Sequence, residues 1–301
     1  MKDRKTMERI LQYTMTKEDA LHPLLFFLKQ KGYSQTVITH LKRTENGLLL
    51  NNEWARVWDI PSYGDILTVR LVEPPSPKGI LPVSLPFPVV YEDKDLLVID
   101  KPAGMPIHPS QGNYENTLAN AAAWYFAQKN EPFTFRCINR LDRDTTGLLI
   151  LARHMYSASL LSDMVKERRI KRTYLAVTTG LLPERGTIDA PIARKEGSTI
   201  ERCVDETAGE YARTHFCRIC EHEGYSLAKI MLETGRTHQI RVHMKHIGHP
   251  LPGDFLYNPD YSHIKRQALH SYKLEFPHPI LGIPLSFSSP LPEDMKQFFI
   301  S

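Results

Sequence analysis

The pattern of apolar and polar positions divides most of the chain into short strand-like and helical segments. Alternating or continuous apolar runs, typical of strands, recur at 89–100, 135–151, 173–180, 212–219 and 225–233. Apolar residues at helical spacing recur near 117–128, 156–167 and 237–247. Strands interleaved with helices in this way predict an α+β domain built on a mixed sheet.

A smaller module precedes this domain. Residues 24–72 contain two short helical patterns and then strand-like runs separated by turn residues. Residues 73–88 read EPPSPKGILPVSLPFP, and the prolines prevent a regular helix and favour an extended, stiff connector. We therefore predict a module over 14–73, a proline-rich linker over 74–88 and the larger domain over 89–301.

Length and charge restrict the class of protein only loosely. The chain has 301 residues, enough for two domains, with a formal net charge of +4 and a pI near 8.7. Many soluble enzymes share this charge, but the basic residues collect at 166–172 and 236–245, which favours contact with phosphates. Residues 1–20 alternate in charge and lack a long apolar run, so we predict no signal peptide, no membrane span and a cytoplasmic location.

The segment 139–153, NRLDRDTTGLLILAR, places a carboxylate in a cationic loop before a buried strand. Asp142 lies between Arg140 and Arg143, and the apolar run 148–151 follows. The cationic neighbours favour ionised Asp142, the form that acts as a nucleophile or a base. For an isolated pair of this kind, a surface ion pair is the alternative.

A second segment, 234–249, reads TGRTHQIRVHMKHIGH and has the pattern of a helix with one apolar face. Ile240, Met244 and Ile247 share that face, so we expect Arg241 to point elsewhere. A helix can hold a guanidinium rigidly against a carboxylate or a phosphate, and Asp142 is a candidate partner. The other polar side chains expected away from the apolar face are Arg236, His238 and Lys245.

Basic residues also precede the strand-like run near 173. The cluster consists of Lys166, Arg168, Arg169, Lys171 and Arg172. Such a cluster suits a phosphate backbone more than an apolar metabolite, with a solvated helix end as the alternative. Tyr174 follows it, and we expect its ring either to fill the core or to stack on a base.

Six segments in this order are similar to motifs of the pseudouridine synthases that act on ribosomal and transfer RNA, in the RluA/RluD-like branch. They are VIDKPAGMPIHPS at 98–110, NTLANAAAWY at 116–125, NRLDRDTTGLLILAR at 139–153, KRTYLAV at 171–177, TGRTHQIRVHM at 234–244 and RQALHSYKLEFPHP at 266–279. The resemblance implies the pseudouridine synthase fold, a long, bent, mixed and mostly antiparallel sheet with a central cleft.

The resemblance also implies roles for individual residues. Asp142 occupies the position of the catalytic aspartate, Tyr174 that of the tyrosine packed against the target ring, and Arg241 that of the arginine that salt-bridges the aspartate. Arg140 matches a side chain that enters the space left by the extruded base. Further candidates for RNA contacts are Arg143, Lys171, Arg172, Arg236 and His238.

Two positions depart from the family pattern. Asn139 stands where many relatives have histidine, and Thr146 stands where they have serine. Both residues keep hydrogen-bonding capacity, so we expect altered support of the loop rather than altered chemistry.

The N-terminal module resembles the S4 domain, a compact RNA-binding module. The similar segments are GYSQTVITHLKR, NGLLLNNE and YGDILTVRL. Ser34 and Gln35 stand where S4 domains usually have Ser-Arg, so one expected phosphate contact is missing. The candidates for a basic face are Lys29, Lys31, His40, Lys42 and Arg43, with a plain solvated helix surface as the alternative for each.

The implied reaction cuts the N-glycosidic bond of uridine, rotates the uracil and joins its C5 to the sugar carbon. It needs no redox change, group donor or metal, and the sequence has no Gly-rich phosphate loop, so we predict no cofactor. Cys217 and Cys220 have the spacing of half a zinc knuckle, but no second such pair follows and no HEXXH motif is present. We therefore predict free thiols and no metal site.

These features predict an RNA pseudouridine synthase that acts on uridines flipped out of large-subunit ribosomal RNA, with transfer RNA as the alternative substrate. Two alternatives come from other classes of protein. One is a non-catalytic RNA-binding or ribosome-assembly protein, and the other is a hydrolase that uses Asp142 with a histidine-bound metal. RNA is the expected partner, and a monomer is the expected state.

Overall fold

The computed structural model describes residues 7–73 and 79–300, which form a small N-terminal module and a larger domain. The elements of the module are β1 (Glu8–Thr14), α1 (Leu24–Gln30), α2 (Gln35–Arg43), β2 (Leu48–Leu50), β3 (Glu53–Trp54) and β4 (Ile66–Val72). Antiparallel pairing gives the sheet order β1-β4-β2-β3. Both helices contribute to one buried apolar cluster with the sheet, which includes Leu28, Ile38 and Leu67.

The larger domain is built on one long sheet. Its elements are β5 (Val89–Glu92), β6 (Leu96–Lys101), α3 (Leu118–Gln128), β7 (Thr146–Ala152), α4 (Met155–Lys166), β8 (Lys171–Thr179), β9 (Arg185–Asp189), β10 (Ile192–Arg194), β11 (Arg202–Val204), β12 (Arg213–His222), β13 (Tyr225–Leu232), α5 (Gln239–His246), β14 (Leu269–Pro277), β15 (Pro284–Ser288) and α6 (Glu293–Lys296). Among the described residues, nine strands join in the order β5-β6-β7-β14-β8-β13-β12-β9, with β15 paired to β14. The β7–β14 pair is parallel and the other pairs are antiparallel, which confirms the expected α+β fold with a mixed, mostly antiparallel sheet.

The neighbouring strands β6 and β7 are buried on both faces of this sheet. On one face, Leu97 and Leu149 pack in a cluster that includes residues of α3 and α5. On the other face, Leu96 and Leu148 pack in a cluster that includes residues of α4. Burial on both faces explains why these strands read as continuous apolar runs. They form a rigid base for the loop that precedes β7.

Several strands differ from the sequence prediction, and two of them, β7 and β14, lie next to the site. The run 135–151 is predicted as one strand, but only Thr146–Ala152 form β7, and the chain before them is a loop in which the N–H of Ile138 reaches the carbonyl of Ile150 at 2.9 Å. β14 was not expected, because His270 and Ser271 interrupt its apolar pattern. Both residues lie between β7 and β8 and are fully buried there. The sheet tolerates them because their polar atoms have partners, such as the carbonyl of Leu148, which accepts from Ser271 Oγ at 2.9 Å.

The N-terminal module is docked on the first half of α4. Tyr33 of the module stacks on Tyr156 with ring centroids 3.7 Å apart, and the Tyr156 hydroxyl donates to the carbonyl of Lys31 at 2.6 Å. Glu73 accepts hydrogen bonds from Arg136 at 2.7 Å and from the N–H of Met155 at 2.6 Å. The beginning of helix α4 thus contacts the N-terminal module, while the last turn of the helix borders the cleft described below.

Residues 74–78 of the predicted linker lie outside the described residues. Residues 79–88 form neither helix nor strand, and they run along the larger domain. The N–H of Val83 donates to the carbonyl of Asn120 at 3.2 Å, while Leu85 and Phe87 pack against the core. This part of the linker is therefore attached to α3. The domain bounds stay a prediction, and the sheet of the module already begins at Glu8.

Candidate active site

The loop that carries Asp142 is fastened to the sheet on both sides. Asn139 is buried, and its side-chain oxygen accepts from the N–H of Ile150 at 2.8 Å, so this departure from the family pattern serves as loop support. Gly147 has φ of +108°, and a Cβ there would lie 2.3 Å from the carbonyl oxygen of Ser271. A glycine is therefore required where β7 approaches β14. The loop leaves the sheet in a fixed direction.

Lys101, at the end of β6, contacts the same loop through the carbonyl of Arg143. Its ammonium group is fully buried and donates to the carbonyls of Pro102 at 2.8 Å, Met105 at 3.0 Å and Arg143 at 2.8 Å. Burial lowers the pKa of Lys101 to about 7. The three carbonyls match the three N–H bonds of the protonated form. No sequence pattern marks Lys101 as buried, because a lysine next to a proline turn gives no signal of burial.

Arg241 on α5 connects two carboxylates. Its Nη1 donates to Oδ2 of Asp142 at 2.7 Å, while Nε and Nη2 donate to the two oxygens of Asp254 at 2.7 and 2.8 Å. The side chain of Arg241 is 1% exposed and that of Asp142 is 28% exposed. Burial by itself would lower the pKa of Arg241, but the hydrogen bonds and charges of Asp254 and Asp142 outweigh it and raise the pKa.

Arg241 is more deeply buried than the predicted helix with one apolar face implies. Helix α5 is buried on several sides, and Arg241 is as buried as Ile240 and Met244. A buried guanidinium is stable only when it is paired and hydrogen-bonded, and Asp254 supplies that partner. Asp254 lies in the sequence LPGDFLYN, which contains no motif that marks it as a partner.

Tyr174 and His238 border Asp142 from two other directions. Tyr174 on β8 is 5% exposed, and burial raises the pKa of its phenol, so the hydroxyl stays protonated at neutral pH. His238 precedes α5 in the left-handed conformation with φ of +59°, and its Nε2 lies 3.9 Å from Oδ2 of Asp142. Burial lowers the pKa of His238, so the imidazole is neutral at pH 7. Its Nδ1 lies 2.9 Å from the hydroxyl of Tyr257.

These residues line a cleft of about 870 Å³ in the larger domain. This volume is in the range of small-molecule sites and can hold a nucleotide. The cleft brings together eight of the candidate catalytic and RNA-contact residues: Arg140, Asp142, Arg143, Arg172, Tyr174, Arg236, His238 and Arg241. Among the described residues, the cleft lining does not include Lys171, nor Lys29, Lys42 and Arg43 of the N-terminal module.

Several basic side chains of the cleft already have acidic partners. Arg143 is exposed and pairs with Asp144 at 2.8 Å, and Arg236 pairs with Glu210. Exposed pairs of this kind are weak, so a phosphate can replace the carboxylate at little cost. Arg140 is exposed at the rim.

Two groups of metal-ligand side chains lie elsewhere. Asp93, Asp95 and His278 have ligand atoms within 4.8 Å of one another, and their hydrogen bonds explain the arrangement: His278 faces Asp93 at 2.7 Å, and Asp95 accepts from Arg9 at 2.7 Å. The four cysteines are free thiols, and Cys217 and Cys220 lie exposed on β12. Over residues 7–73 and 79–300, no helix combines the length and apolar character needed to cross a bilayer.

Comparisons with known proteins place the chain in a family. The model of the RNA pseudouridylate synthase family matches residues 95–246. RNA pseudouridine synthase YjbO of Bacillus subtilis is 38% identical over 267 residues, covering 88% of this chain and 94% of that protein. Ribosomal large subunit pseudouridine synthase D of Nitrosomonas europaea is 41% identical over 221 residues, covering 70% of this chain and 64% of that protein.

Solved structures agree with this result. Human RNA pseudouridylate synthase domain-containing protein 1 is similar with a TM-score of 0.58 and 27% identity, covering 69% of this chain and 84% of that chain. The resemblance noted in the sequence motifs is thereby confirmed. The chain belongs to the RNA pseudouridylate synthase family and is an RNA pseudouridine synthase, an isomerase.

Proposed function

We propose that this enzyme isomerises specific uridines in large-subunit ribosomal RNA and that Asp142 is its catalytic carboxylate. Two relatives named ribosomal large subunit pseudouridine synthase D support the choice of RNA. The protein from Nitrosomonas europaea is 41% identical, and the protein from Xanthomonas campestris is 38% identical over 265 residues. The contact between Asp142 and Arg241 inside the cleft is the observation that carries the proposed role of Asp142.

The proposed chemistry follows from the two oxygens of Asp142. Arg241 occupies Oδ2, and among the described residues no donor is bonded to Oδ1, which leaves that atom for the substrate. In the reaction the C1′–N1 bond breaks and the C1′–C5 bond forms, while C5 loses a proton and N1 gains one. An ionised carboxylate can attack the sugar, attack the ring or abstract a sugar proton, and each route requires it to be held next to the nucleoside.

The target uridine must leave the RNA stack to reach Asp142, at a cost of roughly a few kcal/mol. The cleft volume of about 870 Å³ supports a flipped-out nucleotide. We propose that Arg140, exposed at the rim, enters the vacated space and that Tyr174 packs against the uracil. Both contacts would offset part of the cost of flipping.

The RNA backbone would be held by basic side chains around the cleft and on the N-terminal module. Arg143, Arg172, Arg236 and His238 border the cleft, and Lys171 lies exposed at the start of β8. We propose that the module is an S4-like RNA-binding domain whose exposed basic residues Lys29, Lys42 and Arg43 contact phosphates. We also propose a cytoplasmic monomer that works without a cofactor.

Pseudouridine mapping tests the proposed substrate. The purified protein is incubated with protein-free large-subunit rRNA and, separately, with bulk tRNA from cells that lack its gene, and pseudouridines are then mapped. We expect conversion of one or a few uridines in the rRNA and none in the tRNA. Conversion confined to tRNA, or none in either RNA, contradicts the proposal.

A further inference from the structure

The turn at 253–258, which no motif of the sequence singled out, contacts two of the side chains next to Asp142, Arg241 and His238. Asp254 is fully buried and binds the Nε and Nη2 edge of Arg241 with distances of 2.7 and 2.8 Å. A guanidinium is planar, and its donors point in fixed directions. Once Asp254 fixes one edge, the two N–H bonds of Nη1 are also fixed in direction, and Nη1 lies 2.7 Å from Oδ2 of Asp142.

The turn is itself held in place. Oδ1 of Asp254 also accepts from the N–H groups of Leu256 at 3.1 Å and Tyr257 at 3.2 Å. Gly253 has φ of +72°, and a Cβ there would lie 2.2 Å from the carbonyl oxygen of Arg266. The carboxylate of Asp254 therefore has little freedom to move, and neither does the guanidinium bound to it.

Tyr257 of the same turn reaches the other neighbour of Asp142. Its ring lies 4.9 Å from the guanidinium of Arg241, and its hydroxyl lies 2.9 Å from Nδ1 of His238. The hydroxyl oxygen accepts from the N–H of Arg202 at 2.9 Å, so its own proton is available for Nδ1. When the Tyr257 hydroxyl donates to Nδ1, the ring proton of neutral His238 is on Nε2, which lies 3.9 Å from Oδ2 of Asp142.

We propose that Asp254 and Tyr257 are positioning residues of the active site. Asp254 acts on Asp142 through Arg241, and Tyr257 acts through His238. The inference rests on the proposed catalytic role of Asp142. The competing explanation is that Asp254 only neutralises a buried arginine, in which case it affects folding stability and leaves the reaction of the folded enzyme unchanged.

A double-mutant cycle distinguishes these explanations. In Asp254→Asn, we expect kcat on an rRNA fragment to fall about 10- to 100-fold, a typical effect of losing a residue that orients a reactive group, with KM unchanged. In the Arg241→Ala background, Asp254→Asn should change kcat less than about twofold, because its route to Asp142 is already absent. Losses of kcat that multiply in the double variant overturn the proposal.

A matched ion pair provides the control. Arg266 and Asp294 have the same bidentate geometry, with distances of 2.7 and 2.8 Å, although Asp294 is 41% exposed, and among the described residues no hydrogen bond joins Asp294 to Asp142. Asp294→Asn should therefore keep wild-type kcat. Tyr257→Phe keeps the ring beside Arg241 and removes the bond to His238, so we expect a smaller loss of kcat, about threefold to tenfold, with KM unchanged.

Two further variants distinguish a failure of this inference from a folding defect and from a failure of the proposed function. Asp254→Glu keeps the negative charge but displaces it by one methylene. If Asp254→Asn does not fold, Asp254→Glu is measured in its place. A wild-type kcat in the folded Asp254 variant, or in Tyr257→Phe, overturns the inference for that residue. If Asp142→Asn is itself active, the proposed function has failed; if it is inactive while the Asp254 variants are fully active, only this inference has failed.

Discussion

The Nη1 atom of Arg241 lies 2.7 Å from Oδ2 of Asp142, although the two residues are 99 positions apart in the chain. The donor is 1% exposed and the acceptor 28% exposed, so a rigid buried group holds a carboxylate that substrate can still reach. Charge-assisted hydrogen bonds of this kind are strong, and they strengthen where water is excluded. The pair therefore holds the Asp142 carboxylate in a fixed position and leaves it accessible to the substrate.

Arg241→Ala should reduce both stability and rate. The substitution leaves Asp254 buried without its partner, which costs about 3–5 kcal/mol in free energy of unfolding, and it releases Asp142. Urea denaturation and single-turnover kinetics measure the two effects. In Asp254→Asn/Arg241→Ala, stability should recover in part while the rate stays low. A double variant that regains both would contradict the proposed role of Arg241 in holding Asp142.

Substitutions of Tyr174 should separate the ring from the hydroxyl. Tyr174→Phe keeps the aromatic surface, so the affinity for substrate RNA should match the wild type, and any loss of kcat reports the hydroxyl. Tyr174→Leu removes base stacking, which is worth about 1–3 kcal/mol per base. Binding titrations with an rRNA fragment measure the difference. Equal affinities for the Phe and Leu variants would show that the ring does not contact the uracil.

Short sequence motifs were sufficient to predict most of the residues that line the candidate site. Asp142 and Arg241 both lie in charged segments next to apolar runs, and Tyr174 begins such a run. Asp254 and Tyr257 could not be found in this way, because their roles depend on contacts with Arg241 and His238 that only the folded chain creates. The sequence carries no sign of such long-range partners.

The fold was predictable where apolar periodicity is regular and not where it is interrupted. The helices α3 and α4 lie close to the predicted ranges. β14 was missed, because His270 and Ser271 are buried polar residues whose partners come from other strands. The deep burial of Arg241 was not predicted for a similar reason, since a periodicity rule assigns a charge to the surface unless a buried partner is known.

Lys101→Met should loosen the loop that carries Asp142. The variant leaves three carbonyl groups without their donor, including that of Arg143, and we expect a loss of about 1–3 kcal/mol in free energy of unfolding together with a lower kcat. Thermal denaturation and turnover measure these changes. The matched control is Lys94→Met, which removes an exposed lysine and should change neither quantity. Wild-type stability in Lys101→Met would refute the proposal that Lys101 stabilises the loop that carries Asp142.

Stability should fall as the pH drops below about 6.5, in part because of His243. Burial lowers the pKa of His243 from 6.5, and its ring lies 2.8 Å from Thr214 Oγ1 and 2.9 Å from the carbonyl of Ala190. Between the folded and unfolded pKa values the unfolded chain binds more protons, so the free energy of unfolding rises with pH through that window and is flat above it. His243→Gln should make the slope shallower.

The control for this measurement is His222→Gln, at a more exposed position on β12. Denaturation midpoints between pH 5 and pH 8 give the slope for each variant; these pH values bracket roughly the range over which histidines titrate. An unchanged slope in His243→Gln would show that His243 does not contribute to the pH dependence.

Tritium release by Asp142→Asn tests the proposed catalytic carboxylate most directly. Uridine labelled at C5 loses its tritium to water when C5 joins the sugar, so released tritium counts completed isomerisations. The Asn side chain is similar in size to that of Asp and lacks the negative charge, so we expect RNA binding close to wild type and no tritium release above background. Release at a rate near that of the wild type would show that the isomerisation does not depend on the Asp142 carboxylate.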